Sequence, residues 1–331
     1  MKATVEAENG PATPVAEYAE RITTGKRAFL SVIWKHRISY LFIAPFMIAF
    51  LLFIFIPVTV AIGLSFFSFD AISRPRFVGW DNFLAIWTQD RIFLQYAIPN
   101  TFKFAVIVGP AGYMLSFFLA WLIQQLPKSI RDYFTLALYA PSLAAGAAFI
   151  VVWPVMFSGD RVGYVNNLLL HLGLIEQPKL WLQDPNEFMT IMIAVSLWAS
   201  MGVGFLAMLA GLQTVNRELY DAGAIDGISN RLQEIYYITV PAIKPQMLFG
   251  AVMSVVGTLK AGLIGSMLAQ AASGSPITPQ YSGHLMINHI DDFALIRYEL
   301  GYAAALSVIL LVIVYAANRL AFQLFGGKGE G

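Results

Sequence analysis

Few residues in this chain could do chemistry, and most of the familiar arrangements are missing. There is no cysteine, so disulfides, thiolate metal sites and cysteine nucleophiles are excluded. The four histidines contain no i,i+4 pair, the spacing that places two zinc ligands on one helical face. We expect loop roles for His284 and His289, with a metal site as the lesser alternative. No Ser-centred nucleophile elbow is present. The sequence therefore predicts no metal site and no catalytic residue.

A phosphate-binding loop is missing as well. Gly25-Lys26 is followed by Arg27 instead of Ser or Thr, and the glycine-rich stretch at 326–329 lacks both the hydroxyl and a following helix. In such a loop the backbone N–H groups and the lysine hold the phosphates of ATP. We predict that this chain binds neither ATP nor any other cofactor, and that it is not an enzyme.

One charged residue stands out because of its surroundings. Lys260 lies near the middle of an otherwise apolar stretch, 246–270, among small residues. A charge within a membrane span costs about 2.5–3.5 kcal/mol on insertion scales and usually faces an interior or a cavity. Two hypotheses stay open at even weight. Lys260 faces a translocation path and contacts a hydroxyl or acidic group of the substrate, or it pairs with an acidic residue of a partner chain.

Membrane helices must position these residues. Of the 331 residues 58% are hydrophobic and 12% are charged, with a mean hydropathy of +0.65, whereas soluble domains are about a quarter charged. Stretches with few or no charges are long enough for helices of about 20 residues, and lipid requires helices because each backbone group needs a partner within its segment. Six spans are predicted, near 39–65, 98–124, 134–157, 189–212, 246–270 and 299–322.

The distribution of Lys and Arg predicts the orientation. With an even number of spans both termini share one side, and 13 of the 21 Lys and Arg residues lie on that side against six on the other. Basic residues are enriched in cytoplasmic loops. We therefore predict an all-α membrane protein with a transmembrane domain at 38–322 and cytoplasmic tails at 1–37 and 323–331. The net charge of +1 gives no reason to expect a nucleic-acid partner.

The loop between the fourth and fifth spans, 213–245, is the most informative stretch. Apolar residues recur along one edge from 219 to 225, which predicts a short amphipathic helix, and Gly227 is a natural helix stop. A second short helix follows, and Pro241 lies at the entry to the fifth span. A short amphipathic helix outside the bilayer lies in the lipid interface or docks on a cytoplasmic partner.

This loop resembles the EAA loop of permease subunits in binding-protein-dependent ABC importers. That pattern is Glu-Ala-Ala, three residues, Gly, nine residues and Ile-x-Leu-Pro. Here Asp221-Ala222-Gly223 stands for Glu-Ala-Ala, Gly227 has the expected spacing, and Ile-Thr-Val-Pro at 238–241 stands for the end. Asp replaces Glu, Gly replaces the second Ala, and ten residues separate Gly227 from 238. The extra residue bears on the register of the second short helix.

Further segments are similar to one branch of these proteins, the carbohydrate permeases of the maltose and glycerol-phosphate type. In chain order they are Phe77 to Phe83, Asn100-Thr101, Gly163 with Asn166 and Asn167, Leu209 to Gln213, and Gly301 to Leu306. The resemblance covers residues 38–322. Each piece is short, and their order and spacing together make the resemblance specific.

The resemblance implies a division of labour in a bacterial cytoplasmic (inner) membrane. A second permease subunit, in a heterodimer, would complete the path of a sugar-like solute. Two ATP-binding subunits would hydrolyse ATP, and an extracytoplasmic solute-binding protein would deliver the solute. Asp221 would make a polar contact with an ATPase, unless it only lies on a solvated face. The coupling candidates are Asp221, Ala222, Gly223, Asp226, Gly227 and Pro241.

The substrate itself is left open. Aromatic faces contact the apolar surfaces of sugars, so Trp153, Trp198 and Tyr302 join Lys260 as candidates for the path, with ordinary membrane packing as the alternative. Lys260 favours a substrate with an acidic group. The alternative function is a self-sufficient secondary transporter, which predicts acidic residues within the spans. The charge-free stretches contain none, and no cluster suits an integral-membrane enzyme.

Overall fold

The computed structural model describes residues 37–143 and 145–325. The predicted tails therefore lie outside the described residues, apart from Arg37 and 323–325. The contacts divide the chain into two units, 1–60 and 61–331. In the first unit, α1 (Arg37–Phe50) continues through a π-helical turn, Leu51–Phe55, into α2 (Ile56–Leu64), which runs past the boundary at residue 60.

Over the residues that the structure describes, the regular elements of the second unit are helices apart from one short hairpin, in agreement with the predicted all-α fold. Its elements, in chain order, are β1 (Phe67–Ser68), β2 (Arg76–Phe77), α3 (Asp81–Thr88), a π turn (Phe93–Ala97), α4 (Ile98–Gln124), α5 (Lys128–Leu143), α6 (Ala145–Met156), α7 (Tyr164–His171), α8 (Pro185–Trp198), α9 (Val203–Thr214), α10 (Arg217–Ile225), α11 (Arg231–Glu234), a π turn (Ile235–Thr239), α12 (Val240–Ala242), α13 (Lys244–Leu259), α14 (Leu263–Ser273), a 3₁₀ turn (Pro279–Tyr281), α15 (Met286–Asp291), a π turn (Asp292–Ile296) and α16 (Leu300–Phe325).

Five helical stretches in the described residues are long and apolar enough to cross a membrane. They are Arg37–Leu64, Phe93–Gln124, Pro185–Thr214, Lys244–Ser273 and Leu300–Gln323. They coincide with the predicted first, second, fourth, fifth and sixth spans. The predicted third span, 134–157, falls on α5 and α6. Residue 144, between these two helices, is outside the described residues. The count of six spans therefore stays a prediction.

Small residues let the spans of the second unit approach closely. A Cβ added to Gly204 on α9 would lie 3.2 Å from the Cα of Gly250 on α13, and one added to Gly112 on α4 would lie 3.0 Å from the Cβ of Ser200. Without a strong hydrophobic force between helices in lipid, close backbone packing is a main source of their association. Glycine at these positions therefore brings α4, α9 and α13 together.

Three connecting segments, 65–92, 157–184 and 274–299, are here called the outward segments, after the side of the membrane on which the sequence predicts them. In the first, β1 and β2 pair antiparallel, with Phe67 opposite Phe77. The side-chain amide of Asn82 donates to the carbonyls of Ser65 and Phe67, at 2.8 and 3.0 Å. A Cβ on Gly301, at the start of α16, would lie 1.9 Å from the Phe67 carbonyl oxygen. The last span therefore starts directly against this hairpin, which only glycine permits.

The Asn100-Thr101 pair holds another outward segment, 274–299, to the start of the second span. The amide of Asn100 donates to the carbonyls of Tyr281 and His284, at 2.8 and 3.3 Å. The hydroxyl of Thr101 accepts a hydrogen bond from the backbone N–H of Met286 at 2.8 Å. The buried backbone of that segment thus finds its partners on α4, as buried polar groups require.

Asn166 organises the remaining outward segment, 157–184. Its side chain is fully buried. The amide nitrogen donates to the carbonyls of Ser158, Asp160 and Lys179 within 3.1 Å, and the amide oxygen accepts from Lys179 N and from the indole N–H of Trp181 at 2.8 Å. These hydrogen bonds give Asn166 the role of holding a turn.

We predict that Asn166→Ala lowers the stability of the protein strongly. It removes the partner of the Trp181 indole and of several partly buried backbone groups, at a cost of about 1–3 kcal/mol. The measurement is the apparent melting temperature of the purified protein in detergent. Asn167→Ala is the matched control, because the exposed amide of Asn167 makes one hydrogen bond of 3.5 Å. Equal melting temperatures for the two variants would contradict the prediction.

Candidate functional site

The first short helix of the 213–245 loop is well defined at both ends. Asn216 caps α10, since its side-chain oxygen accepts from the backbone N–H of Glu218 at 3.1 Å. The helix ends at Gly227, whose φ is +92°, and the N–H of Ile228 returns to the carbonyl of Gly223 at 2.9 Å. This is a Schellman ending, for which glycine in the left-handed region is favoured. The predicted role of Gly227 as a helix stop is confirmed.

Gly223 explains one departure from the family pattern. It is the buried residue of α10, and a Cβ there would lie 2.6 Å from the Cδ1 of Ile238 and 3.0 Å from the Cδ1 of Ile228. The space that an alanine methyl would fill is therefore occupied by these two side chains. The phenol of Tyr220 also lies 3.0 Å from the hydroxyl of Thr239. Both contacts join α10 to the chain that leads into the fifth span.

The exposed face of α10 carries the other coupling candidates. Asp221, Ala222, Asp226 and Gly227 are all exposed, as is Pro241 at the entry to the fifth span. Next to them, Ile225 is 88% exposed. A short helix that is firmly held on one side and presents carboxylates and an apolar side chain on the other is suited to a docking surface.

A π turn accounts for the extra residue in this loop. Asn230 caps α11 by accepting from Gln233 N at 2.9 Å, and α11 passes into the π turn Ile235–Thr239 before α12. A π turn is a single-turn bulge in which one more residue than usual fits into a helix. The hydroxyl of Thr239 donates to the carbonyl of Glu234, five residues earlier, at 3.2 Å. The ten-residue spacing therefore leaves the second helix continuous.

Two of the spans are broken near their middles. In Pro185–Thr214, α8 ends at Trp198 and α9 begins at Val203, and in Lys244–Ser273, α13 ends at Leu259 and α14 begins at Leu263. The second break is held by α15, because the amide of Asn288 donates to the carbonyl of Gly262 at 2.9 Å. Irregular backbone at membrane depth occurs where it is buried in protein or lines a cavity.

A cavity of about 410 Å³ lies at these breaks. Its described walls come from α4, from the break between α8 and α9, and from α13 with the break that follows it, and Ser142 of α5 contributes as well. No charged side chain lines it in the described part of the chain. The polar side chains in the walls are Tyr113, Ser116, Ser142, Ser196, Ser200, Ser254 and Thr258.

The four predicted path residues do not line this cavity among the described residues. Lys260 is exposed at the end of α13, where a positive charge interacts favourably with the helix dipole. Trp153 and Trp198 are brought together as an edge-to-face pair, with ring centres 5.2 Å apart. Tyr302 hydrogen-bonds to Asp90 through its phenol at 2.8 Å. The assignment of these four residues to the path stays a prediction.

Tyr302 belongs to a buried network that the sequence did not indicate. Asp90 accepts from Tyr302 and pairs with His289 Nε2 at 2.7 Å, and His289 Nδ1 lies 3.2 Å from His284 Nε2. Burial raises the pKa of Asp90, but hydrogen bonds from His289, Phe93 N and Tyr302 outweigh it and hold that pKa below its ordinary value. Burial, helped by His289, lowers the pKa of His284 to about 4. The network joins two outward segments to the last span. His284 and His289 therefore have a structural role in their loop.

Comparisons with known proteins match this architecture over nearly the whole chain. Residues 28–324 match the family described as "Binding-protein-dependent transport system inner membrane component". The chain belongs to this family. The permease is 31% identical over 288 residues to the probable ABC transporter permease protein YesP of Bacillus subtilis (strain 168), with 86% of this chain and 89% of the relative covered.

Two further comparisons agree with this assignment. The permease is 30% identical over 303 residues to the arabinooligosaccharides transport system permease protein AraP of Bacillus subtilis (strain 168), with 90% of this chain and 91% of the relative covered. It is 26% identical to a chain in the crystal structure of a bacterial ABC transporter involved in the import of the acidic polysaccharide alginate, with a TM-score of 0.71 and coverage of 90% and 99%. The resemblance to importer permeases is confirmed, and nothing supports a secondary transporter.

We predict that Gly223→Ala in the permease lowers substrate uptake. The new methyl would overlap the Cδ1 of Ile238, and overpacking of this kind costs about 1–3 kcal/mol. Ile238→Val removes that Cδ1, so the double variant Gly223→Ala/Ile238→Val should regain much of the uptake. Uptake is compared at equal amounts of permease in the membrane. A double variant as impaired as the single one would contradict the role of this contact.

We also predict a pH dependence of stability from His284. A histidine in the unfolded chain has a pKa of about 6.5, whereas the pKa of His284 in the folded protein is about 4. Between these values the unfolded chain holds more protons, so stability falls as the pH falls, by about 2 kcal/mol at pH 5. The measurement is the melting temperature from pH 7 to pH 5. His284→Phe should flatten this fall, whereas His171→Phe, at an exposed histidine, should not.

Proposed function

We propose that this permease forms half of the substrate path of an ATP-driven sugar importer and transmits the motion of a separate ATPase to that path. The supporting observation is a continuous connection from α10, the proposed contact with the ATPase, to the cavity. The exposed helix α10 contacts Ile238 and Thr239. The chain then continues from these residues through α12 into α13. Near the end of α13, Thr258 lines the cavity. A displacement of α10 would therefore move a wall of the cavity.

The partners follow from the surfaces of the chain and from its family. Two ATP-binding subunits would hydrolyse ATP, one of them with α10 of this permease in a cleft. Asp221 and Asp226 would make polar contacts there, and Ile225 would fill an apolar hollow. A second permease subunit would complete the path, and a solute-binding protein would deliver the substrate. In this proposal both termini lie in the cytoplasm of a bacterium, and the outward segments lie on the other side of the membrane.

A sugar is the class of substrate that the relatives support. One relative is named for arabinooligosaccharides and another for the polysaccharide alginate. A wall rich in hydroxyl groups suits the same class, since sugars bind through many hydrogen bonds of modest strength. Substrate would move as the spans change between two access states, with ATP binding to the partner shifting the balance.

Lys260 and the two tryptophans take secondary roles in this proposal. Lys260 lies at the break next to the cavity but is exposed, so the partner permease is its proposed contact. Trp153 and Trp198 stay candidates for the path beyond the cavity, because Trp198 directly precedes Ala199, which lines it.

We predict that Gly227→Val abolishes uptake and removes the stimulation of ATP hydrolysis by substrate. Valine at φ +92° is strained by about 1–2 kcal/mol and would distort the end of α10. Gly173→Val is the matched control, because Gly173 also has a positive φ, +66°, with open space around it, in an outward segment. The measurements are uptake and ATPase activity of the reconstituted complex. Normal coupled transport by Gly227→Val would contradict the coupling role.

A further inference from the structure

We propose that the 410 Å³ cavity binds an uncharged, hydroxyl-rich part of the substrate, so that this permease carries neutral saccharides and discriminates against acidic ones. The inference rests on the proposed function and specifies its substrate class. It opposes the expectation from Lys260 of a substrate with an acidic group, and it separates this chain from its structural relative that imports an acidic polysaccharide.

The direction of the hydrogen bonds in the wall carries the argument. The hydroxyl of Thr258 donates to the carbonyl of Ser254 at 2.9 Å, that of Ser196 donates to Met192 at 2.6 Å, and that of Ser200 donates to Leu197 at 2.7 Å. Each hydroxyl proton is thus used by a backbone carbonyl three or four residues earlier in the chain. The oxygens keep lone pairs that can accept hydrogen bonds from a ligand. Sugar hydroxyls can donate to such a wall, whereas a carboxylate cannot.

Donors in the wall are present, but they are uncharged. The first backbone N–H groups of α9, from Val203, have no partner within the helix, and this helix start lines the cavity. Its dipole would favour an anion by no more than about thirtyfold. Among the described walls a carboxylate would find no positively charged side chain to pair with, whereas uncharged hydroxyl groups need none. The balance therefore favours a ligand that both donates and accepts without a net charge.

The remaining surface of the cavity is apolar and suits the faces of sugar rings. The exposed side chains of Val203 and Met253 contribute to it, and Lys260 does not. The volume lies at the lower end of the range for small-molecule sites, about 300–1,000 Å³. We therefore expect the cavity to hold a short segment of an oligosaccharide at a time.

The test uses the purified complex of this permease with its partner subunits. The solute-binding protein is left out, so that its own selectivity does not affect the measured affinity. The probes are neutral oligosaccharides of two to four pentose or hexose units and the same oligosaccharides with one terminal uronate. Binding is measured by calorimetry, and uptake is measured with the binding protein added. We expect the neutral members to bind at least tenfold more tightly than their uronate counterparts.

Variants locate the site. Thr258→Val keeps the volume but removes the accepting oxygen, so we expect a threefold to tenfold loss of affinity for the neutral probe. Ser196→Ala should have an effect of similar size. Thr135→Val is the matched control, since Thr135 also donates to the carbonyl four residues earlier but lies on α5 outside the cavity walls.

The outcomes separate the two proposals. A complex that assembles with its ATPase but takes up no saccharide of either kind would overturn the proposed function. Sugar uptake with equal or tighter binding of the uronate probes would overturn the inference alone. Tight binding of the neutral probes that Thr258→Val and Ser196→Ala leave unchanged would overturn the assignment of this cavity.

Discussion

The hydrogen bonds that asparagine amides make to backbone carbonyls are the interaction on which the rest of this structure depends. Four asparagine side chains each donate to a backbone carbonyl that is distant from them in the chain. They are Asn82, Asn100, Asn166 and Asn288. A helix in lipid satisfies its own backbone, but the chain that enters and leaves it does not. A planar amide with two donors and an acceptor can replace the missing partners from one position.

This arrangement lets the spans be irregular where the cavity lies. Asn288 satisfies the carbonyl of Gly262 at the break of the fifth span, and a Cβ on Gly262 would lie 1.9 Å from a side-chain atom of Ile287. The break is thus closed from one side by α15 and open to the cavity on the other. The break of the fourth span borders the same cavity, and the contact between Gly204 on α9 and Gly250 on α13 holds the two spans together.

The sequence predicted the features that depend on composition and local pattern. Five spans match because a long apolar stretch with few or no charges has few alternatives, and Gly227 ends α10 because its neighbours favour a helix on each side. The cavity was not predicted, because Thr258 and Ser196 look like ordinary residues of an apolar span. Serine or threonine recurring in the fourth and fifth spans near glycine was the available signal. The pairing of Asp90 with His289 depends on residues 199 positions apart, and no local pattern indicates it.

The π turn at Ile235–Thr239 has a consequence for how the gene can change. One codon inserted into an α-helix turns everything beyond it by about 100° around the helix axis. Inside α13 such a codon would carry Thr258 away from the cavity. At the π turn the added residue forms a local bulge, so both α10 and the lining face of α13 keep their orientations. The segment between coupling helix and span therefore tolerates a length change that the span itself would not.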